Sequence, residues 1–566
     1  MEIANGKWQV TAPAPTQANR PLDDGRCSIL PGILDREWVS LALLILWSVF
    51  VFYAGLDIVL RSDEGLYAAV ARRIVQTNEW LPLVFQGQPY LNKPPLYFWL
   101  MALSFTLWGP SEFAARFPSA TFGVATVGLV YWCGRRLFDR WVGWVAALIA
   151  TTTFSTVWHA HEARFDIPLA FWINLAVIAL YLAHQREGRA LPYLCLAVLA
   201  MAIGTMLKGP VGLLLPGVTA LAFLVITRSS RVVRHLPVFG GSLLVLLALV
   251  GAYYYWLGPS FNEHFFIREN AIRIVQGDKS VFFYVPMLLA NFLPWSVFLP
   301  SVAVYLGKAR ARGLGEAELL LGIWLTAFFV GLSLPAGKSE RFLVYLIPPF
   351  ALLMARCWTH LLSLPPHEGQ RLEGRLARLT AVALAVGAGV ALAMAPQLIA
   401  KRLSVARDLG LTPLAVLVGA AGVAVVLAAI RGRLQAVLSS VAALSMALTL
   451  GLVLVFFPAM DRYDSARDLS QRIRRTVGES PLVIYGDSYD YAYDVLYYLD
   501  RGNPVPLLTT VSEARAAFDT GQQVFGLMLA YSEETLRGHG NLPLTRIAEY
   551  PYRKRRFVLV SNRGGY

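Results

Sequence analysis

Charge is what this chain has least of. Only 15% of its 566 residues are Asp, Glu, Lys or Arg, against about 25% in ordinary soluble domains, which excludes a single water-soluble globule. Cysteine is equally sparse. Cys27, Cys133, Cys195 and Cys357 are far apart and form no CxxC pair, which argues against a zinc ribbon. None follows Cys357, so a domain at the C-terminal end is expected to hold no disulfide. The polar, proline-bearing stretch Met1–Glu37 has no short apolar core before a small-residue cleavage site, so a cleaved leader is not expected. Neither an internal repeat nor a low-complexity tract stands out. Apolar side chains are abundant instead: 56% of residues are hydrophobic and the mean hydropathy is +0.52.

That apolar content is laid out in runs. The first, Trp38–Leu60, is long enough to cross about 30 Å of hydrocarbon. Twelve more follow at about 112–134, 142–158, 167–184, 190–206, 210–227, 236–257, 285–306, 316–334, 342–361, 379–395, 413–430 and 435–457. The expectation is a polytopic α-helical membrane protein with thirteen spans. With the N-terminal tail 1–37 placed in the cytoplasm, alternate loops carry Arg135, Arg136 and Arg140; Arg186 and Arg189; Arg228, Arg231 and Arg234; Lys308, Arg310 and Arg312; Arg371, Arg375 and Arg378; and Arg431 and Arg433. Every loop of that set is basic, as the positive-inside rule requires of a cytoplasmic face. The opposite loop at about 396–412 departs from the bias with Lys401, Arg402 and Arg407. Much of the +14 net charge is thus accounted for by topology, and nucleic acid is not needed as a partner. An odd number of spans puts the C-terminus outside.

The stretch 458–566 differs in kind: 27 of its 109 residues are charged, against 59 in the other 457. Leu482–Tyr485, Val524–Leu529 and Arg556–Val560 read as strands, and Ser465–Val477, Tyr489–Leu499 and Val511–Phe518 as helices. A small external α/β domain follows a transmembrane domain at 38–457. The cluster Arg553-Lys554-Arg555-Arg556 reads as a solvated face.

The external loops hold the unusual residues. The longest, 61–111, opens on Asp63-Glu64. It continues as a helix with Leu66, Ala69, Val70 and Ile74 on one side and Arg72 and Arg73 on the other, expected to lie along the membrane surface. Then comes Lys93 in the proline-stiffened Tyr90-Leu91-Asn92-Lys93-Pro94-Pro95. Other external loops carry His159, His161, Glu162, Arg164 and Asp166; Lys208-Gly209-Pro210; His264, Arg268, Glu269, Asn270 and Arg273; and Lys338-Ser339-Glu340-Arg341, with Tyr345 just inside the next span. His159 and His161, two residues apart, read as surface residues. Ionisable groups at membrane depth are costly and mark function. Here acids and bases gather at one face, each at the end of a different span, so one shared site is the economical reading. Asp63 and Asp166 suit general-base work, a cationic substrate group or a metal. Lys93, Lys208, Arg268, Lys338 and Arg341 suit phosphate, and a phosphate site at a membrane surface suggests a lipid phosphate.

Asp63-Glu64, the tyrosine of Gly65-Leu66-Tyr67, Asn92-Lys93-Pro94-Pro95, Arg164-Phe165-Asp166 and Leu207-Lys208-Gly209-Pro210 together resemble the membrane glycosyltransferases of the protein O-mannosyltransferase and aminoarabinose transferase superfamily. The layout of spans plus external tail is most similar to the bacterial aminoarabinose transferases of lipid A. The resemblance implies a GT-C fold in the inner membrane. It implies transfer of 4-amino-4-deoxy-L-arabinose from undecaprenyl phosphate to a lipid A phosphate at the periplasmic face, conferring resistance to polymyxin and cationic peptides. It implies Asp63 and Asp166 as catalytic acids and Lys93 at the donor phosphate. Arg268 and Tyr345 would be further lipid-phosphate contacts, beside Lys208, Lys338 and Arg341. No organic cofactor is expected. A divalent cation is left open, with His264 and Glu64 as its candidate ligands. Asn92 stands where the family often has glutamate, which weakens a metal role there. The alternatives are a related GT-C enzyme with a protein or other glycan acceptor, or a lipid transporter or flippase. A transporter would place its charges near mid-membrane and show paired repeats.

Overall fold

A computed structural model describes residues 3–4, 7–8, 37–185, 190–228, 231–363, 372–403, 412–463, 465–540, 542, 544–552 and 555–563. Most of the polar N-terminal segment, Arg186, Arg189, Arg371, Arg407, Arg553 and Lys554 lie outside the described residues.

Each of the thirteen apolar runs contains helix. A helix satisfies its own backbone groups, which hydrocarbon cannot do. Among the described residues, eight helices are long and apolar enough to span a membrane, or eleven when each of three bent pairs counts once. The runs at Glu37–Tyr53 and Val211–Thr227 form helices of 17 residues each. The chain is a multi-pass membrane protein. The helix Thr412–Ile430 shows why: Val416, Leu417, Val423 and Leu427 are all exposed on its surface, and only lipid would cover them.

Three departures from the expected spans shape one end of the bundle. The first helix stops at Tyr53, and the irregular backbone after it is fastened from inside: Arg116 donates to the carbonyls of Leu56 (2.8 Å), Ile58 and Val59 (3.0 Å). The run 236–257 does not end in a loop. It bends by 108° at Gly258-Pro259 and continues as Pro259–Ala271, with π-helical geometry over Glu263–Ala271. The run 285–306 bends by 112° between Tyr284–Asn291 and Trp295–Arg312. The helix Asp63–Thr77 also departs from expectation. Its apolar residues Leu66, Val70 and Ile74 are buried, but against protein. It packs between the helix Leu96–Trp108 and the helix Tyr493–Leu499 of the C-terminal region, and Arg72 binds Asp500 at 3.0 Å.

The C-terminal region carries a five-stranded sheet in the order Leu507–Leu508, Leu482–Tyr485, Phe525–Leu529, Arg555–Ser561, Thr545–Tyr552. The first three strands are parallel and the last two antiparallel to their neighbours, with Leu482 opposite Phe525 and Phe525 opposite Ser561. Helices Ala466–Val477, Tyr493–Leu499, Val511–Phe518 and Ala530–Gly540 complete it. Two short or exposed strands and the last helix escaped the sequence reading. Arg555 and Arg556 are exposed.

Candidate functional site

The site lies at the end of the bundle that meets this C-terminal region, and its two leading acids have opposite environments. Glu64 is buried. Its carboxylate accepts from Arg116 Nε (2.9 Å) and Nη2 (2.8 Å), from the Ala163 amide (2.7 Å) and from the Arg61 amide (2.9 Å). Asp63 keeps 35% of its side-chain surface open. Arg164 reaches it at 2.8 Å and Arg341 at 3.8 Å. Tyr67, one helical turn on, is buried beside Arg164. Burial pushes its phenol up to about 12.

Arg164-Phe165-Asp166 forms the entry to the helix Asp166–Gln185. Asp166 is only 1% exposed. Its Oδ1 accepts from Lys208 Nζ (2.7 Å) and from Tyr345 Oη (2.9 Å), and Lys208 also bonds Tyr345 Oη at 2.7 Å. Arg164 Nε stands 3.5 Å from Asp166 Oδ2. The Lys208 ammonium lies 3.9 Å above the Phe342 ring. The Lys-Gly-Pro sequence is both a span break and a site element. Gly209, at φ +97°, ends the helix Ala190–Lys208 where a side chain would meet the Phe265 ring at 2.7 Å.

Lys93 enters from the first loop, just before the helix Leu96–Trp108. It pairs with Glu269 at 2.6 Å, which the bend at Gly258-Pro259 delivers. Lys93, Lys208, Glu269 and Asn270 line the polar end of a cleft of about 390 Å³. The rest is walled by apolar residues such as Val211, Leu214, Val218 and Leu332, on helices the composition assigns to lipid.

Thus Asp63, Asp166, Lys93, Lys208, Arg341 and Tyr345 come together. Of the remaining sequence candidates, Lys338 and Glu64 do not join them. Arg268 is exposed. Lys338 is buried with its ammonium on the carbonyls of Pro335 (2.6 Å) and Lys279 (3.3 Å), where it staples a loop. His264 Nε2 is 2.8 Å from Asn92 Oδ1, and Glu64 is enclosed by its four donors. Among the described residues no three His, Cys, Asp or Glu side chains are grouped to hold a metal ion. His159 and His161 are corrected from surface residues to buried ones. His159 pairs with Glu162 at 2.7 Å, and His161 Nδ1 lies 2.7 Å from the Val157 carbonyl.

Residues 92–256 match the family model described as dolichyl-phosphate-mannose-protein mannosyltransferase. The crystal structure of ArnT from Cupriavidus metallidurans bound to undecaprenyl phosphate superposes with a TM-score of 0.73 at 22% identity, covering 92% of this chain and 98% of that one. The chain has the GT-C fold. Curated relatives include an undecaprenyl phosphate-alpha-4-amino-4-deoxy-L-arabinose arabinosyl transferase of Pseudomonas fluorescens, 29% identical over 58% of this chain and 58% of its own length. One of Sodalis glossinidius is 31% identical over 52% of this chain and 54% of its own length. The chain spans less than two thirds of the length of the curated relatives it matches.

Within this GT-C chain three residues escaped the sequence reading. Arg116 could have been found as an arginine inside an apolar run, which always needs a buried partner. Phe342 carries no such signal, since a ring under an ammonium is one aromatic among many. Glu269 was visible only as a loop acid, because its pairing depends on the bend at Gly258-Pro259.

Proposed function

We propose that this chain transfers 4-amino-4-deoxy-L-arabinose from undecaprenyl phosphate to a phosphate of lipid A, at the periplasmic face of a bacterial inner membrane. The observation that carries the proposal is the cleft: two lysines stand at the polar end of an apolar channel between lipid-facing helices. That arrangement suits a phosphate on a long hydrocarbon chain. The donor phosphate would take the place of the Glu269 carboxylate on Lys93, with Lys208 beside it as a second compact charge.

The acids divide the work. Asp166 is covered by Lys208, Tyr345 and Arg164, so its task is to hold the Lys208 ammonium in place. Asp63, partly open, is the carboxylate that a sugar can reach. A lipid A phosphate is already anionic at pH 7, its second pKa being near 6, so the acceptor needs no general base. Asp63 then stabilises positive charge developing on the sugar ring, or holds its ammonium group. A phosphate oxygen of the acceptor attacks the anomeric carbon, the bond to the donor phosphate breaks, and its electron pair leaves with undecaprenyl phosphate. Lys93 and Lys208, fixed beforehand, stabilise that leaving charge. In-line attack inverts the anomeric centre. Mass spectrometry of lipid A from cells with and without the gene tests the assignment. An aminopentose on lipid A only when the gene is present supports it, and identical lipid A with glycosylated protein in its place would move the acceptor to a serine or threonine.

A further inference from the structure

Asp63 is presented by a turn whose backbone is unusual. Ser62, immediately before it, has φ +52° and ψ −125°, and the Glu64 amide donates to the Arg61 carbonyl at 3.1 Å. These are the features of a type II′ turn, whose second residue is normally glycine because a side chain is strained there. A serine persists in such a conformation only where the surroundings impose it. One anchor lies within the turn, where the Arg61 amide donates to Glu64 Oε2 at 2.9 Å; the other comes from 432 residues away. Asp494, 2% exposed in the C-terminal region, accepts the Ser62 amide on Oδ2 at 3.2 Å. The same oxygen accepts Tyr552 Oη at 2.8 Å, and Oδ1 accepts the Val495 amide at 3.0 Å. The approach is close: a side chain at Gly65 would stand 2.5 Å from the Asp494 Cα.

We infer that Asp494, held by Tyr552, is a positioning residue for the proposed transfer, through which the C-terminal region fixes the turn that aims Asp63 into the site. The inference rests on the function proposed above for what Asp63 does, and on geometry alone for where Asp63 is held. Both carboxylate oxygens act as acceptors, and alanine at 494 removes both. In Asp494→Ala the turn therefore loses its anchor, and a strained Ser62 relaxes. A glycine at 62 carries no such strain.

The full-length chain in lipid nanodiscs tests this with two readouts. In Asp494→Ala, amide hydrogen exchange over residues 61–66 should accelerate. Turnover should fall at least about tenfold, since small misplacements of a reacting group cost this much or more. The KM for the lipid-linked donor should stay within about twofold, because the lysines that hold it are untouched. Adding Ser62→Gly should restore most of the lost turnover and protection. Unchanged exchange in Asp494→Ala overturns the inference, as does a folded double variant with no recovery. If the wild-type chain shows no transfer at all, the proposed function fails, and the exchange arm alone decides the positioning role. If Asp494→Ala does not fold, Tyr552→Phe is measured in its place. It should shift exchange in the same direction by less, and no shift overturns the inference.

Discussion

Asp63 and Glu64 are neighbours in sequence and occupy two different regions of this molecule. Around Glu64, an arginine, two amides and three backbone carbonyls close into a cage in which every donor has an acceptor. Around Asp63, the same kinds of group gather but leave the carboxylate partly open, beside a cleft and under the C-terminal region. A closed ion pair of this kind stabilises a backbone that has left its helix. The open cluster has charge to offer to something else. At the opposite end of the bundle the ion pairs are more exposed than the Glu64 cage, with Arg135 on Glu37 at 2.9 Å, Arg356 on Glu318 at 3.1 Å, and Lys308 on Glu373.

The contrast can be broken from either side. Glu64→Gln should have the largest effect on stability. It leaves Arg116 buried without a countercharge, a loss of about 3–5 kcal/mol, visible as a lower Tm in detergent and reduced recovery of folded protein. An unchanged Tm would show that the cage is not what holds the loop. Lys93→Ala should lower the Tm by less than Glu64→Gln, since Glu269 is less enclosed than Arg116, and raise the KM for the lipid-linked donor by about tenfold or more, as expected of a lost charged contact of about 1.5–3 kcal/mol. A variant in which turnover falls with KM unchanged would move Lys93 from donor binding to the transition state. Tyr345→Phe removes one hydrogen bond to Asp166 and one to Lys208, at about 1 kcal/mol each, and should lower turnover by about tenfold. Thr510→Ala, which removes the cap and box of the remote helix Val511–Phe518, should cost about 1 kcal/mol of stability and leave transfer kinetics alone.

Much of the fold was legible because hydrocarbon permits so few backbone solutions: apolar runs had to be helices. The bends were not legible. Gly258-Pro259 reads as an ordinary loop start, and only the packing of Phe265 and Glu269 shows that the helix resumes at 108°. Within the site, Asp63, Lys93, Asp166 and Lys208 were visible because charges at span ends are expensive and sit in dense motifs. Their ranking was not. Nothing in Asp-Glu says which acid is caged. That was decided by Arg116, one turn into a different helix. Lys338 was grouped with the site by its charge, and its ammonium is turned instead onto the Pro335 and Lys279 carbonyls. The surface helix was misread because its apolar stripe does not say whether lipid or the C-terminal region covers it.

The central claim is that the open acid, and not its caged neighbour, serves the chemistry. The most direct test is single-turnover transfer of the sugar from undecaprenyl phosphate by purified Asp63→Asn, with Tm read on the same sample. The account predicts a Tm close to that of the parent and transfer reduced by about 10²–10³-fold, the loss expected when one preorganised charge-stabilising group is removed. Near-normal transfer by a folded Asp63→Asn would contradict it.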